Sequence, residues 1–400
     1  MKAIEIKKDI HWIGALDPDL RIFDIVMYTP FGTTYNSYVV KGETKTAVFE
    51  TVKEKCFDEY VERLTSLSVD ISKIDYIVVN HTEPDHAGSV AKLLQISKNA
   101  KVVGSSNAIR FLKAIVNHDF EYIEVKDGDS LDLGGKTLKF ISAPFLHWPD
   151  SIYTYLEEDK ILFSCDSFGA HYCLDEVFND KIVNKEDYLS ALKYYFDGIM
   201  GPFKAYVLKV YDKIKDVPID IICPGHGPIL RENPKEVIEL YKTWSSEKEI
   251  DETKISIFYV SAYGYTKELA EQIAKGIKSI SNYNVSLYDV IYNKQEELVN
   301  EINTSKAVLF GSPTINGDAL KPIWDLISFM NPLIHSKKPV AAFGSYGWSG
   351  EAVPSMEKRF TALRLNTLVP GLKVNLKPST EELEEGFKFG VQFAEKLKTL

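Results

Sequence analysis

The sequence has no surplus of basic residues: 47 Lys and Arg stand against 57 Asp and Glu, for a formal net charge of -10. A protein with this balance lacks the positive field that releases counterions from phosphates, which argues against nucleic acid as a partner. The sequence also has no apolar run of the length that spans a membrane. Its first residues, Met1-Lys2-Ala3-Ile4-Glu5, lack the apolar core of a signal peptide.

Cysteine is scarce, and none of the four residues forms a CxxC pair: Cys56, Cys165, Cys173 and Cys223. This spacing argues against a disulfide framework, a zinc ribbon and a rubredoxin-type iron domain, and it is typical of the reducing cytosol. Cys165 and Cys223 lie on apolar strand candidates and are expected to be inert buried thiols. We therefore expect a cytoplasmic protein that binds neither a membrane nor nucleic acid.

The pattern of the chain changes near residue 250, where the polar stretch Ser245–Thr253 is predicted to be a linker. This predicts two domains, residues 1–250 and 251–400. In the second, five strand–helix units indicate a doubly wound parallel sheet, and Ser379 with Glu382 matches a capping box. The expected strands are Lys254–Ser261, Asn284–Val290, Ala307–Gly311, Pro339–Gly344 and Leu372–Leu376, and the expected helices are Thr266–Ser279, Gln295–Ile302, Pro322–Met330, Glu351–Leu365 and Thr380–Thr399.

The most informative motif is His81-Thr82-Glu83-Pro84-Asp85-His86, which is predicted to form a loop between an apolar strand and a helix over Ala87–Gln95. Two imidazoles and two carboxylates within six residues are too many for one metal ion, so the motif favours two ions side by side. The carboxylates make the donor set rich in oxygen, which suits iron better than a set of histidines alone.

Further candidate ligands also follow predicted strands. Asp166 follows Ile161–Cys165, His226 follows Ile219–Cys223, and His147 comes shortly after Thr137–Ser142. With Tyr76–Asn80 before His81 and Lys101–Gly104 beyond it, these strands predict a two-layer αββα sandwich whose strand ends meet at one edge. His11, His118 and His335 lack this context and are expected to be ordinary packed or surface histidines.

Three loops in the second half carry small and hydroxyl residues directly after strands: Ser261–Thr266, Ser312–Gly317 and Ser345–Gly350. At such a position backbone N–H groups and a helix N-terminus bind phosphate, and no Gly-Lys pair of an ATP-type loop is present. The loops resemble the flavodoxin pattern, which implies an FMN site. The candidate contacts are Ser261, Tyr263, Gly264, Tyr265, Thr266, Pro313, Thr314, Ile315, Asn316, Ser345, Tyr346, Gly347, Trp348 and Gly350. The alternative is a response-regulator-like or structural α/β domain without a cofactor.

The first half resembles a metallo-β-lactamase-type domain, and the whole chain resembles the flavodiiron proteins, in which a flavodoxin-like domain follows. The resemblance implies one iron held by His81, Glu83 and His147, and a second held by Asp85, His86 and His226, with Asp166 bridging the two. It also implies roles near the irons for His171, in the run Asp166–His171, and for Tyr195. Each has a competing explanation: His171 orients a ligand or a bound water, or merely packs, and Tyr195 belongs to the core.

The resemblance implies reduction of dioxygen to water, or of nitric oxide to nitrous oxide, with electrons relayed through FMN. It further implies a head-to-tail homodimer or a dimer of dimers, and an external electron donor such as rubredoxin or a reduced deazaflavin. Some relatives place a histidine in the segment aligned with Phe23–Tyr28, and this chain does not, which leaves the oxygen or nitric oxide preference open. The competing functions are a zinc hydrolase with an appended flavin domain, and an electron-transfer flavoprotein with a structural metal site.

Overall fold

The fold is taken from a computed structural model that describes residues 1–67, 69–246, 250–280 and 282–400. The chain divides into two units, Met1–Glu247 and Lys248–Leu400. The predicted linker lies partly outside the described residues. Its first two residues end a helix and its last three begin a strand, contrary to the prediction. Those strand residues are exposed, so their polarity reflects contact with water and not an irregular backbone.

The first unit alternates short strands with helices. Its strands are β1 Ile4–Lys7, β2 Ile10–Trp12, β3 Ala15–Asp17, β4 Ile22–Phe23, β5 Met27–Tyr28, β6 Thr33–Tyr35, β7 Tyr38–Lys41, β8 Thr46–Phe49, β9 Tyr76–Val78, β10 Lys101–Gly104, β11 Tyr122–Glu124, β12 Ser130–Asp132, β13 Thr137–Ser142, β14 Ile152–Leu156, β15 Ile161–Cys165 and β16 Ile221–Pro224. Its helices are α1 Phe57–Ser66, α2 Pro84–Ala87, α3 Val90–Ile96, α4 Ser106–Val116, α5 Lys185–Tyr195, α6 Lys204–Ile214 and α7 Pro234–Ser246.

Two sheets pack face to face in this unit. The larger has the order β1-β2-β7-β8-β9-β10-β11, and the smaller has the order β12-β13-β14-β15-β16. Because side chains alternate along a strand, Ala47 and Phe49 of β8 face the second sheet, whereas Val48 packs beneath helices α1, α3 and α4. Helices α5, α6 and α7 cover the outer face of the smaller sheet. The layers therefore form the predicted αββα sandwich.

The ligand motif differs locally from the prediction. Asp85 and His86 lie within the helical turn α2 and not in a loop, and the expected helix over Ala87–Gln95 is interrupted before α3 begins. Pro84 occupies the start of α2, where its missing N–H is tolerated. A Cβ on Gly88 would lie 2.2 Å from the carbonyl oxygen of Pro84, so a glycine is required where α2 ends.

The second unit contains one mainly parallel sheet. Its strands are β17 Asp251–Tyr259, β18 Asn284–Asp289, β19 Ser305–Gly311, β20 Thr314–Ile315, β21 Asp318–Ala319, β22 Pro339–Tyr346, β23 Asn366–Thr367 and β24 Leu372–Asn375, and its helices are α8 Tyr265–Ile280, α9 Gln295–Thr304, α10 Lys321–Ser328, α11 Ala352–Ala362 and α12 Thr380–Leu397. Every predicted strand and helix of this half is present within a few residues of its expected bounds.

The five long strands pair in parallel in the order β18-β17-β19-β22-β24, with helices packed on both faces. This is the strand order of doubly wound sheets that bind a ligand beyond the carboxyl ends of the strands. Helices α8 and α12 approach closely at two glycines: a Cβ on Gly276 would lie 2.0 Å from the carbonyl oxygen of Phe387, and one on Gly390 would lie 2.1 Å from that of Ile273. The Ser379–Glu382 capping box at the start of α12 is confirmed.

Candidate metal centre and flavin site

The seven side chains predicted to bind metal lie together at one edge of the first unit. They form two groups, His81, Glu83, His147 and Asp166 in one, and Asp85, His86 and His226 in the other. Within each group the candidate ligand atoms lie within 4.8 Å of one another. The parallel pairing of β15 with β16 carries Asp166 and His226 to the same edge.

Asp166 connects the two groups because its two carboxylate oxygens face opposite ways. Oδ2 lies 3.2 Å from Nε2 of His147 and 3.5 Å from Nε2 of His81. Oδ1 lies 2.9 Å from Nε2 of His86 and 3.5 Å from Nε2 of His226. A carboxylate in this position has the geometry needed to bridge two metal ions.

The remaining two carboxylates complete one group each. Glu83 Oε2 lies 2.9 Å from Nε2 of His147 and 3.3 Å from Nε2 of His81. Asp85 Oδ2 lies 3.0 Å from Nε2 of His226. All four imidazoles thus direct Nε2 towards carboxylate oxygens. The side chains of Glu83 and His147 keep 19% and 15% of their surface exposed, whereas the other five ligands are almost fully buried, so solvent reaches the cluster on the Glu83 side.

The buried carboxylates of this cluster favour positive charge beside them. Burial opposes ionisation of Asp166, yet the positive charge and hydrogen bonds of the facing imidazoles, His86 foremost, hold its pKa well below the usual range. Burial alone would lower the pKa of His86, but Asp85 and Asp166 raise it to about 10. No lysine or arginine of the described residues forms an ion pair with Glu83, Asp85 or Asp166. In the absence of metal, protons on the imidazoles supply the positive charge.

Unpaired polar atoms also indicate that the cluster fits metal ions. Neither carboxylate oxygen of Asp85 takes part in a well-formed hydrogen bond in the described part of the chain, although Oδ2 is close to His226. Buried polar atoms are otherwise nearly always paired. Cys165 also borders the cluster, but burial raises the pKa of its thiol well above the ordinary value. Cys165 lies with His86 and Asp166 in a further group that could hold a metal ion, and the other donors of the cluster are oxygen and nitrogen.

Several residues that hold the ligands in place were not predicted from the sequence. Asp150 is fully buried, and its Oδ2 accepts hydrogen bonds from the backbone N and the Oγ1 of Thr82, both at 2.8 Å. The same oxygen lies 3.2 Å from Nδ1 of His81. Nδ1 of His226 donates to the carbonyl oxygen of Thr34 at 2.6 Å. Such partners fix the orientation of a ligating imidazole and increase its basicity.

Glu50 and Thr51 hold the two ends of the ligand segment. Glu50 Oε1 accepts the backbone N–H of Asn80 at 2.9 Å. The backbone N and the Oγ1 of Thr51 both donate to the carbonyl oxygen of His86, at 2.7 and 2.6 Å. Glu50 follows the apolar strand β8, so the strand-end signal that identified the ligands was also present here.

The structure brings His171 and Tyr195 to this cluster as well. The ring of His171 lies 5.1 Å from that of His226, 4.9 Å from that of Tyr195 and 4.3 Å from that of Phe23. Thr33 Oγ1 lies 2.9 Å from Nδ1 of His171, and Nε2 is buried without a partner among the described residues. Burial and the neighbouring His226 keep the pKa of His171 well below its usual value. His11, His118 and His335 lie outside both ligand groups.

The second unit has a cavity of about 160 Å³ at the carboxyl ends of its strands. The three predicted loops line it, through Ser261, Tyr263, Tyr265, Pro313, Thr314, Ile315, Ser345, Tyr346 and Gly347. Ala262 and Leu376 also line it and were not predicted. Helix α8 begins at Tyr265, which lines this cavity, and a helix N-terminus is a position at which backbone N–H groups can bind a phosphate.

The other predicted contacts lie outside the cavity wall: Gly264, Thr266, Asn316, Trp348 and Gly350. Thr266 is buried and its Oγ1 lies 3.0 Å from the Oγ of Ser345, which joins two of the loops. Gly264 has a φ of +88° with open space at the Cβ position. The side chain of Trp348 is fully exposed.

Comparisons with known proteins identify the family of each domain. Residues 33–227 match the family model described as ODP family beta lactamase, and residues 257–390 match the flavodoxin model. The chain is 44% identical to the Flavo-diiron protein FprA2 of Clostridium acetobutylicum, over 99% of this chain and 100% of that one. The chain belongs to the flavodiiron protein family.

More distant flavodiiron relatives cover nearly the whole chain. An anaerobic nitric oxide reductase flavorubredoxin from Enterobacter is 36% identical over 96% of this chain and 79% of its own length. The solved rubredoxin oxygen:oxidoreductase from Desulfovibrio gigas matches with a TM-score of 0.71 and 30% identity, covering 100% of this chain and 99% of that one. The resemblance predicted from the sequence is confirmed, as is the fold class, a metallo-β-lactamase-like sandwich followed by a flavodoxin-like sheet.

Proposed function

We propose that this flavodiiron protein reduces dioxygen to water, nitric oxide to nitrous oxide, or both, at two non-haem iron ions that receive electrons through FMN. The observation that carries the proposal is Asp166, whose two oxygens face two separate sets of imidazole and carboxylate ligands. When bound, the irons supply the reduction of the small oxidant, and FMN supplies electrons singly or in pairs.

We assign one iron to His81, Glu83 and His147, the other to Asp85, His86 and His226, and the bridging position to Asp166. Each group then offers nitrogen and oxygen donors in similar proportion, which suits iron. The ligands belong to the metallo-β-lactamase-like domain, residues 1–250, and the flavin to the flavodoxin-like domain, residues 251–400.

His171 and Tyr195 are assigned to hydrogen bonding and proton supply beside the ligands. Thr33 Oγ1 lies 2.9 Å from Nδ1 of His171, and Nε2 of this ring is buried without a partner among the described residues. The rings of Phe23 and Tyr195 pack against His171 and keep bulk water away from it. Proton delivery is then limited to defined side chains.

For FMN, we assign the phosphate to the Ser261–Thr266 turn at the start of α8 and the ring system to the other two loops. The flavin contacts in these loops are Pro313, Thr314, Ile315, Asn316, Ser345, Tyr346, Gly347, Trp348 and Gly350. The supporting observation is the cavity that all three loops line, with tyrosine rings on its wall.

Partners follow from family membership. We propose the head-to-tail homodimer, or the dimer of dimers, that the resemblance implies. The names of two relatives, a rubredoxin oxygen:oxidoreductase and a flavorubredoxin, support rubredoxin as the electron donor, with a reduced deazaflavin as the other candidate. We also propose a cytoplasmic location. Among the described residues, no helix is long and apolar enough to cross a membrane.

The test begins with protein purified without oxygen. Elemental analysis and an optical spectrum should give about two irons and one FMN per chain, and the reduced protein should then be offered oxygen and nitric oxide in parallel. Consumption of either gas supports the proposal. Two zinc ions with hydrolytic activity would favour the hydrolase instead, and iron without flavin would refute the assigned electron route.

A further inference from the structure

The four imidazoles of the proposed metal centre are held in place by different contacts. Nδ1 of His81 lies 3.2 Å from a carboxylate oxygen of Asp150, and Nδ1 of His226 donates to the carbonyl oxygen of Thr34 at 2.6 Å. The polar contacts of His147, in contrast, all involve Nε2. Among the described residues no hydrogen bond fixes this ring from its Nδ1 side.

His86 also lacks a partner on Nδ1, but the backbone encloses its ring. Its side chain is fully buried, and a Cβ added at Gly225 would lie 2.7 Å from its Cε1. The side chain of His147 keeps 15% of its surface exposed. His147 is therefore the one imidazole of the four that neither a hydrogen bond on Nδ1 nor complete burial holds in the described structure.

The indole of Trp148 packs against this imidazole and against a second one. Its ring lies 5.1 Å from that of His81 and 6.1 Å from that of His147, at interplanar angles of 87° and 72°. The two imidazoles meet each other at 5.1 Å and 70°. Edge-to-face arrangements of this kind are the ones that aromatic rings prefer. In the described part of the chain, the remaining ring contact of Trp148 is with Phe111 and not with His86 or His226.

Trp148 is itself well fixed. Its carbonyl oxygen accepts the backbone N–H of Phe145 at 2.7 Å and that of Ser151 at 3.3 Å. Its half-buried ring meets Phe111 of helix α4 at 6.4 Å and 87°. The indole thus forms a wall between helix α4 and the imidazoles of a single ligand group.

We propose that Trp148 is a positioning residue for the first of the two proposed ions and not for the second. The first ion is the one assigned to His81, Glu83 and His147, and the inference rests on that assignment. By packing on both imidazoles, Trp148 restricts them to the orientation in which Nε2 faces the ion. Without the indole, the ring of His147 gains rotational freedom, and the first ion loses a ligand for part of the time.

The test is a titration of the metal-free, full-length protein with Co²⁺, which binds the same nitrogen and oxygen donors as Fe²⁺. We expect the parent to bind two ions. Trp148→Ala should weaken one of them by about tenfold or more and leave the other within about twofold of the parent. Trp148→Phe keeps an aromatic wall and should recover most of the lost affinity.

A double variant identifies which ion is affected. If Trp148 acts on the first ion, Trp148→Ala should cause a smaller loss in a protein that already carries His147→Ala than in the parent, because the two changes disturb the same site. In a His226→Ala background, which alters the second site, the loss should be as large as in the parent.

Trp244→Ala is the matched control, because Trp244 is half-buried in the same unit and packs on Phe196 and Tyr241. It should leave both affinities unchanged. Unchanged binding in Trp148→Ala, equal weakening of both ions, or a loss in Trp148→Phe as large as in Trp148→Ala would each overturn the proposal. A parent that binds a single ion would instead refute the assignment of two metal sites, and this role of Trp148 with it.

Discussion

The carboxylate of Asp150 lies 3.2 Å from Nδ1 of His81, on the side of the imidazole that faces away from Glu83 and Asp166. His81 is therefore held from both sides, by a buried acid on Nδ1 and by the ligand cluster on Nε2. The same oxygen of Asp150 accepts two hydrogen bonds from Thr82, which fixes the backbone immediately after the ligand.

Replacement of Asp150 should weaken iron binding. Asp150→Ala removes the partner of His81 and leaves Thr82 with two unpaired donors, so we expect iron affinity to fall by about 10–100-fold. Asp150→Asn keeps an acceptor but loses the charge. Its iron affinity should therefore lie between that of Asp150→Ala and that of the parent. Iron retained after dialysis against a graded chelator measures the effect. The exposed Asp119→Ala serves as control, and unchanged iron retention in Asp150→Ala would contradict the role.

We expect the stability of the metal-free protein to depend on pH because of Glu50. Burial raises its pKa from 4.5 to about 7, against the opposing charge of His86. Stability from the protonated carboxyl is thus fully present below pH 4.5 and is lost as the pH rises through 7. Glu50→Gln should remove that loss, which amounts to about 3 kcal/mol. Urea unfolding of both metal-free proteins between pH 5 and 8 tests this, with exposed Glu124→Gln as control. Parallel pH profiles for the parent and Glu50→Gln would refute it.

The sequence was sufficient to predict which seven side chains the fold brings together, because each of them follows an apolar strand or lies in one short motif. It was not sufficient for Asp150 and Glu50, since an acid near a turn or at a strand end is common, and its role depends on which backbone N–H groups the fold places beside it. The helix break at Gly88 depends on a close approach to Pro84, and Leu376 reaches the flavin cavity only through the pairing of β24 with β22. Such contacts between distant segments leave no local pattern.

Gly344 should be essential for FMN binding. A Cβ at this position would lie 1.9 Å from the carbonyl oxygen of Ser312, so Gly344→Ala must push the loop after β19 away from β22. Overpacking of this kind costs about 1–3 kcal/mol, and we expect FMN affinity to fall roughly tenfold or more. The FMN affinity is measured from the quenching of flavin fluorescence when the FMN-free protein is titrated with FMN.

The control for that experiment is Gly386→Ala on helix α12, where the added Cβ meets neighbours at 3.5 Å or beyond. It should bind FMN like the parent. If both alanine variants lose FMN affinity to the same extent, the effect reflects general destabilisation of the sheet and not displacement of the loop.

His335 should make the second unit sensitive to acid. In the neutral ring, Nδ1 accepts the backbone N–H of Asn331 at 2.9 Å and Nε2 donates to Oδ1 of Asn303 at 2.8 Å, and Nδ1 also lies 3.2 Å from the carbonyl oxygen of Asn331. Burial, with the charge of Lys338, lowers its pKa from 6.5 to about 4. The unfolded chain therefore takes up this proton first, and stability is lost as the pH falls from 6.5 towards 4.

Replacing His335 with glutamine should reduce the loss of stability between pH 6.5 and 4. Near neutral pH the variant should be less stable than the parent by about 1 kcal/mol, because glutamine replaces the hydrogen bonds of the imidazole imperfectly. Thermal unfolding of the FMN-loaded protein at several pH values, followed by flavin release, provides the measurement. His118→Gln, at an exposed histidine, should keep the parent slope. If the stability of His335→Gln depends on pH as steeply as that of the parent, other groups cause the acid sensitivity.

The proposed iron ligands come from separated strand ends, between His81 and His226. Any motion that separates β9 from β15 therefore removes Asp166 from both proposed iron sites together, whereas a motion of β16 alone removes only His226. Because the two irons would bind only the closed form, they would stabilise it by mass action, and this stabilisation would grow with the free iron concentration. Iron availability in the cell would thus regulate the lifetime of this protein against proteolysis, before any change in its synthesis.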